Sequence, residues 1–306
     1  MNPGAAFREV LAAPGCAAAV GAYDPAVAKL VEQAGFPIVY VSGSGSSTAV
    51  GGFTDAGLLS FTEMLHNASH IVAATATPTL CDIDTGFGNV TNVKRTIREF
   101  EAIGAAGVHI EDQQFPKRCG QTAGATLIEL DEMMAKIFAA KEAQRSEDFV
   151  LVVRTDARQV EGLEGVIRRG RAYIEAGADV LFPEALLTPE EFVRCREELA
   201  VPLVIDVPEW GRSPTMTLDE LASWGFDLGI FAISAMRVAL AAVREFLGAL
   251  GSERTQRGWL ERMLTRAETD ELVGLPGIRA EEERLAALGA ERLRALKTGW
   301  TEAAHV

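Results

Sequence analysis

The stretch "TLCDIDTGFGN", residues 79–89, is an apolar run that stops at two aspartates one residue apart, then turns through Thr85, Gly86, Phe87 and Gly88. Side chains alternate along a strand, so Asp82 and Asp84 share one side of it. Two like charges ending a buried strand either cap a turn or face a cation. The rest of the chain bears on that choice. Similar short β-branched runs recur at 16–23 ("CAAAVGAY"), 38–43 ("IVYVSG"), 107–112 ("GVHIED"), 149–156 ("FVLVVRTD"), 179–185 ("DVLFPEA"), 202–207 ("PLVIDV") and 228–234 ("LGIFAIS"). Between them lie amphipathic stretches such as "NVKRTIREFEAIGAAG" and "LEGVIRRGRAYIEAGA", several stopped by glycine. Near-continuous apolar strands alternating with helices indicate parallel strands covered from outside. Eight of them favour a closed (β/α)8 TIM barrel over an open doubly wound sheet.

The chain has 306 residues, 48% hydrophobic and 24% charged, enough for one large α/β domain with a substantial core. A barrel is expected over 1–250 and a charged helical extension over 251–306. In that extension Trp259, Leu260, Met263 and Leu264 need a covering surface, so an arm packed on the barrel or on a neighbouring subunit is expected. The formal net charge of −14 repels nucleic acid and anionic membranes, so neither is an expected partner. Cys16, Cys81, Cys119 and Cys195 are scattered without a CxxC pair, which fits a reducing compartment. "MNPGAAFREVLAAPG" lacks a signal-peptide pattern and no apolar run reaches the length of a membrane span, so a cytoplasmic location is expected. No dinucleotide or Walker-type glycine loop occurs; "VSGSGSS" lacks both fingerprints.

The strand ends bear on the aspartate pair. Tyr40, Ser42, Gly43 and Ser44 follow the second strand, Asp82 and Asp84 the third, and Glu111 and Asp112 the fourth. Arg154 and Asp156 end the fifth, Glu184 the sixth, Asp206 and Glu209 the seventh, and Ser234 the eighth. In a parallel barrel all of these meet on the carboxyl face, where barrel enzymes build their sites. Acids converging from five strands repel one another unless a cation neutralises them. All-oxygen ligation without a His or Cys cluster selects a hard ion, Mg2+ or Mn2+.

The loop "FPKRCGQTAGATL", 115–127, places Cys119 between a basic pair, Lys117 and Arg118, and Gly120. Those cations are expected to lower the thiol pKa, and the glycines to let the loop close over a site. Arg154 either pairs with a neighbouring carboxylate or offers its planar fork to a substrate carboxylate, the preferred reading. Arg237 serves equally as a second such residue or as a surface ion-pair partner. His66 and His70, four apart on an outer helix without an HExxH glutamate, and His109, inside the fourth strand, are assigned no chemistry.

On "GAYDPAVAKLVEQAGFPIVYVSGSG", "CDIDTGFGN", "GVHIEDQQFPKRCG", "RTDARQVEGLEGVIRRGRAYIEAGADVLFPEA" and "TRAETDELVGLPGIRAEEERL", the chain resembles the isocitrate lyase/phosphoenolpyruvate mutase superfamily, in its 2-methylisocitrate lyase-like branch. The resemblance implies a barrel whose eighth helix is exchanged between subunits, in a homotetramer assembled as a dimer of dimers. It implies Mg2+ held, partly through water, by Asp84 with Asp82, Asp55 and Glu111 nearby. Tyr40, Ser42, Gly43 and Ser44 would line the pocket of a 2-oxo acid unit, Arg154 and Glu184 would flank the reacting carbons, and Cys119 would be the acid thiol. Two positions depart from the family pattern: Gln121 stands where a histidine is usual, and "DVPE" puts Asp206 where an asparagine is usual and Pro208 beside it. An ionised Asp206 would repel a substrate carboxylate, and Pro208 lacks a backbone donor. The implied activity is a Mg2+-dependent carbon–carbon lyase acting on a 2-hydroxy di- or tricarboxylate. The alternatives are an oxaloacetate-type decarboxylase, a phosphonate-forming mutase-like enzyme, and an inactive barrel serving as a binding or scaffold subunit.

Overall fold

The structure, a computed structural model, describes residues 2–303. Eight parallel strands form the sheet: β1 Ala17–Ala22, β2 Ile38–Val41, β3 Thr79–Asp82, β4 Gly107–Glu111, β5 Val150–Thr155, β6 Val180–Pro183, β7 Val204–Asp206 and β8 Leu228–Phe231. Their order is β6-β5-β4-β3-β2-β1-β8-β7, and a parallel bridge between Leu181 and Leu203 joins the two ends into a ring. The expected (β/α)8 barrel is thus the observed fold.

Local chemistry sets the helix ends. Ser60 caps helix Phe61–Ala74 in a reciprocal box with Glu63. The stretch read as "LEGVIRRGRAYIEAGA" forms helix Gly162–Ala176 and stops at Gly177, whose φ of +109° a side chain would resist. Strand registers pair Asp82 with His109, Glu111 with Arg154 and Arg154 with Phe182, which brings the polar strand ends to one level at the carboxyl mouth.

Period two separates Glu111 from Asp112. Glu111 turns into the barrel, whereas Asp112 belongs to a polar knot between barrel and helices. Asp112 Oδ2 accepts from the Thr155 hydroxyl at 2.7 Å and the Tyr173 hydroxyl at 2.8 Å, and its Oδ1 accepts from the Asp156 amide at 2.9 Å. Arg169 Nη1 donates to the Tyr173 oxygen at 3.1 Å and to the Ile128 carbonyl at 3.1 Å. Every member is buried, so each bond replaces water that cannot enter. Tyr173→Phe removes one of these bonds to a carboxylate and should cost about 1.5–3 kcal/mol in urea unfolding. A change below ~0.5 kcal/mol would show that the knot does not hold the helix layer.

The chain divides into two compact units, one ending at Val243 and one beginning at Arg244, a boundary inside helix Ser234–Glu253. The second unit continues through Arg257–Arg262, Arg266–Leu272 and the long helix Leu275–Ala303. Within it Trp259 meets Phe246 edge to face at 5.5 Å, and the Arg262 guanidinium lies 3.9 Å from the Trp259 ring centre. Leu260, Met263 and Leu264 stay exposed. No described helix is long and apolar enough to cross a membrane.

Candidate active site at the barrel mouth

A cavity of about 160 Å³ opens at the carboxyl ends of the strands. Of the residues singled out in the sequence, Tyr40, Ser42, Ser44, Asp55, Asp82, Lys117, Cys119, Gly120, Gln121, Arg154, Glu184, Asp206, Glu209 and Arg237 line it. Asp84, Glu111, Gly43 and Ser234 lie immediately behind. Arg118 does not line it: its amide donates to Gln113 Oε1 at 2.9 Å and its guanidinium lies against Gly124.

Asp82 and Asp84 have different tasks. Asp82 is saturated: Oδ1 accepts from the Asp84 amide at 2.9 Å, and Oδ2 accepts from the Gly43 amide at 3.1 Å and lies 3.3 Å from the Tyr40 hydroxyl. Gly43 has no room for a side chain, because an added Cβ would lie 2.8 Å from Asp82 Oδ2. Asp84 sits in the left-handed region at φ +46°, a conformation that costs free energy and recurs at functional sites. Its Oδ1 is buried and is met by the Lys117 ammonium at 2.9 Å. Lys117 also pairs with Asp55. Both Glu111 carboxylate oxygens are buried without a hydrogen-bond partner. Burial pushes Asp84 up to about 6, against the pull of Lys117, and raises Glu111 well above the usual carboxylate range.

Buried acid oxygens that accept no hydrogen bond, as at Glu111, are what a hard cation needs. Among the described residues no three His, Cys, Asp or Glu groups form a ready-made cage. The donor set therefore fits Mg2+, which keeps several waters and takes few protein ligands, better than an ion that demands a full protein shell.

Arg154 is heavily engaged. It grips Asp156 with two parallel bonds of 2.9 Å, and its guanidinium lies 3.6 Å from Glu111 Oε2 and 3.4 Å from Glu184 Oε2. The pairing with neighbouring carboxylates is thus the observed one, and the residue also lines the cavity. Glu184 Oε2 is buried without a hydrogen-bond partner, and burial raises the pKa of the group. The next residue, Ala185, is left-handed at φ +59°.

The loop at 115–127 covers this group. Gly120 lies flat on Arg154 and Asp156 with no space for a Cβ, and its carbonyl accepts from Gln159. Gln121 bridges two loops: its amide nitrogen donates to Glu184, and its oxygen accepts from the Arg212 amide at 2.8 Å and the Ser213 amide at 3.2 Å. Cys119 departs from expectation. Its thiol pKa is raised, first by burial and then by Asp55; the sequence reading had it lowered by Lys117 and Arg118. The reason is positional, since Lys117 is spent on Asp55 and Asp84, and Arg118 points elsewhere. A thiol that keeps its proton is a donor and not a nucleophile.

Asp206 also stands apart from an ordinary surface carboxylate. Burial and the neighbouring Glu184 push it well above the usual range, against Arg154. Glu209 pairs with Arg237, whose guanidinium lies 5.3 Å from the Trp210 ring centre. Ser234 hydrogen-bonds Glu209. His109, given no role from sequence, stands beneath the site: its Nδ1 is 3.2 Å from the Tyr40 hydroxyl and 3.5 Å from Asp82 Oδ1. Burial, then Arg154 and Lys117, depress its pKa strongly. Its period-two relation to Glu111 was the available signal. Gln159 gave none. His66 and His70 remain on the outer helix with ring centres 4.4 Å apart.

Comparison with known proteins bears on the family and the fold. A family model described as phosphoenolpyruvate phosphomutase matches residues 7–250. The chain is 39% identical to a 2-methylisocitrate lyase of Aeropyrum pernix, over 89% of this chain and 88% of that one. It is 38% identical to a 2,3-dimethylmalate lyase of Eubacterium barkeri, over 94% of this chain and 99% of that one. The crystal structure of a phosphonopyruvate hydrolase complexed with oxalate and Mg2+ superposes with a TM-score of 0.84 at 34% identity, covering 93% of this chain and 99% of that one. Fold, motif order and kinship together make the chain a member of the isocitrate lyase/phosphoenolpyruvate mutase superfamily, in its 2-methylisocitrate lyase-like branch.

Proposed function

We propose that the protein is a Mg2+-dependent carbon–carbon lyase that cleaves a 2-hydroxy di- or tricarboxylate into a 2-oxo acid and a second carboxylate. One observation carries the reading: a thiol, Cys119, whose pKa is raised, and Glu184, whose buried Oε2 accepts no hydrogen bond, line one cavity next to the buried acids Asp84 and Glu111. Asp84 and Glu111, with Asp82 and Asp55 alongside, would hold the ion. When bound, it would supply positive potential to the oxygens of the 2-oxo acid unit.

The remaining steps belong to the chain. Tyr40, Ser42 and Ser44 receive the 2-oxo acid end. Glu184 Oε2 takes the proton of the substrate hydroxyl, and the C2–O bond becomes a carbonyl as the C2–C3 bond breaks. The electron pair of that bond goes to C3, which takes the proton of Cys119 Sγ. Arg154, fixed by Asp156, holds Glu184 and Glu111 in place at the cavity. Gln121 ties the Cys119 loop to the loop after β7, which excludes water and keeps the thiol over C3. The exposed Leu260, Met263 and Leu264 support an arm that docks on a second copy of the chain.

The test is a Mg2+-dependent screen of isocitrate, 2-methylisocitrate, 2,3-dimethylmalate, oxaloacetate and phosphonopyruvate, read as 2-oxo acid formed or lost. The expected result is 2-oxo acid formation from a hydroxy acid, abolished by EDTA. Consumption of oxaloacetate or phosphonopyruvate alone would replace the lyase with one of the other enolate chemistries.

A further inference from the structure

The cavity has two unlike sides. Toward β2 and β3 it presents Tyr40, Ser42, Ser44 and Asp82, whereas the ends of β6, β7 and β8 contribute Phe182, Val207, Pro208, Ile230 and Ile233. Strand order places β6 and β7 across the barrel from β2 and β3, with β8 beside β1. A substrate held by its 2-oxo acid end near Asp84 therefore sends its outer arm toward this hydrocarbon, interrupted by Glu184, Asp206 and the Glu209–Arg237 ion pair.

That side has no free cation. The cations lining the cavity are Lys117, Arg154 and Arg237. Lys117 is taken by Asp55 and Asp84, Arg154 by Asp156, Glu184 and Glu111, and Arg237 by Glu209. The backbone offers no compensation, because the Val207 amide already donates to the Ile230 carbonyl at 2.8 Å and Pro208 has no N–H. Five acidic side chains line the cavity and each of its three cations is already ion-paired, so a further carboxylate on the ligand finds no free cation there. A carboxylate on the outer arm would be desolvated without a cationic partner, whereas a methyl group would gain contact.

Resting on the lyase reading, we propose that Glu209, by engaging Arg237, together with Asp206 and Pro208 beside it, selects a 2-hydroxy dicarboxylate bearing small alkyl groups and rejects a tricarboxylate. For 2,3-dimethylmalate the atoms balance simply. The hydroxyl proton goes to Glu184, the C2–C3 bond breaks, C3 takes a proton from Cys119, and the products are pyruvate and propionate.

Steady-state kinetics with Mg2+ should give kcat/KM for 2,3-dimethylmalate at least about a hundredfold above that for 2-methylisocitrate. Glu209→Gln should free Arg237 and narrow that ratio about tenfold, through a rise for the tricarboxylate. Two unreactive probes lacking the hydroxyl give a second readout by calorimetry: 2,3-dimethylsuccinate should bind at least about tenfold tighter than tricarballylate. Equal or faster cleavage of 2-methylisocitrate, or equal or tighter binding of tricarballylate, overturns the proposed selectivity and leaves the lyase intact. Absence of cleavage of both substrates overturns the lyase reading itself, and the selectivity with it.

Discussion

Asp84→Asn lowers Mg2+-dependent turnover by about three orders of magnitude, equivalent to about 4 kcal/mol of transition-state stabilisation. Asparagine keeps the shape of the side chain and tolerates the left-handed backbone that position requires, φ +46°, so the fold survives. What is lost is the charge on a buried oxygen whose partner in the protein is the Lys117 ammonium. The Asp84 amide still donates to Asp82, so the neighbouring acid keeps its place. The measurement is kcat as a function of Mg2+ concentration, with thermal unfolding as the control for folding. A loss smaller than about tenfold would remove Asp84 from the ion site.

The second large effect is at Cys119. Cys119→Ser should lower kcat by about 10²–10⁴, the range of a lost general acid, because a serine hydroxyl is a far poorer proton donor. Divalent-ion binding should be unchanged, because Cys119 stands on the loop and not among the acids behind the cavity. The raised thiol pKa supplies an independent check. Burial and Asp55 favour the neutral thiol, so alkylation by iodoacetamide should accelerate only above the pH at which an ordinary thiol ionises. Rapid alkylation at neutral pH would mean a thiolate, which cannot give C3 a proton.

How far the sequence alone reached follows from the range of each interaction. Strand ends were legible because period two, β-branched runs and glycine stops are local, and a parallel barrel gathers every carboxyl end on one face without further information. The placement of Tyr40, Asp82, Arg154, Glu184 and Asp206 around one cavity followed from that topology. The protonation of Cys119 did not, since it depends on where Lys117 points. That ammonium is drawn to Asp55, 62 residues away in sequence, and to Asp84. Asp206 posed the same difficulty, because its half-buried position and its proximity to Glu184 are tertiary facts. The Asp112–Tyr173 hydrogen bond spans 61 residues, and Gln121 reaches Arg212 across 91. No local pattern marks such partners. The strained backbone at Asp84 was hidden for another reason: sequence favours a turn there, yet only coordinates show that the aspartate itself adopts the left-handed conformation.

The most direct measurement is a calorimetric titration of the full chain with oxalate, a planar mimic of the enolate of a 2-oxo acid, with and without Mg2+. Bound together at the acids behind the cavity, ion and dianion should give one oxalate per chain when Mg2+ is present, no measurable binding after EDTA, and loss of binding in Asp84→Asn. Oxalate binding of equal strength without the ion, or undiminished by Asp84→Asn, would contradict a cation-centred site at the barrel mouth.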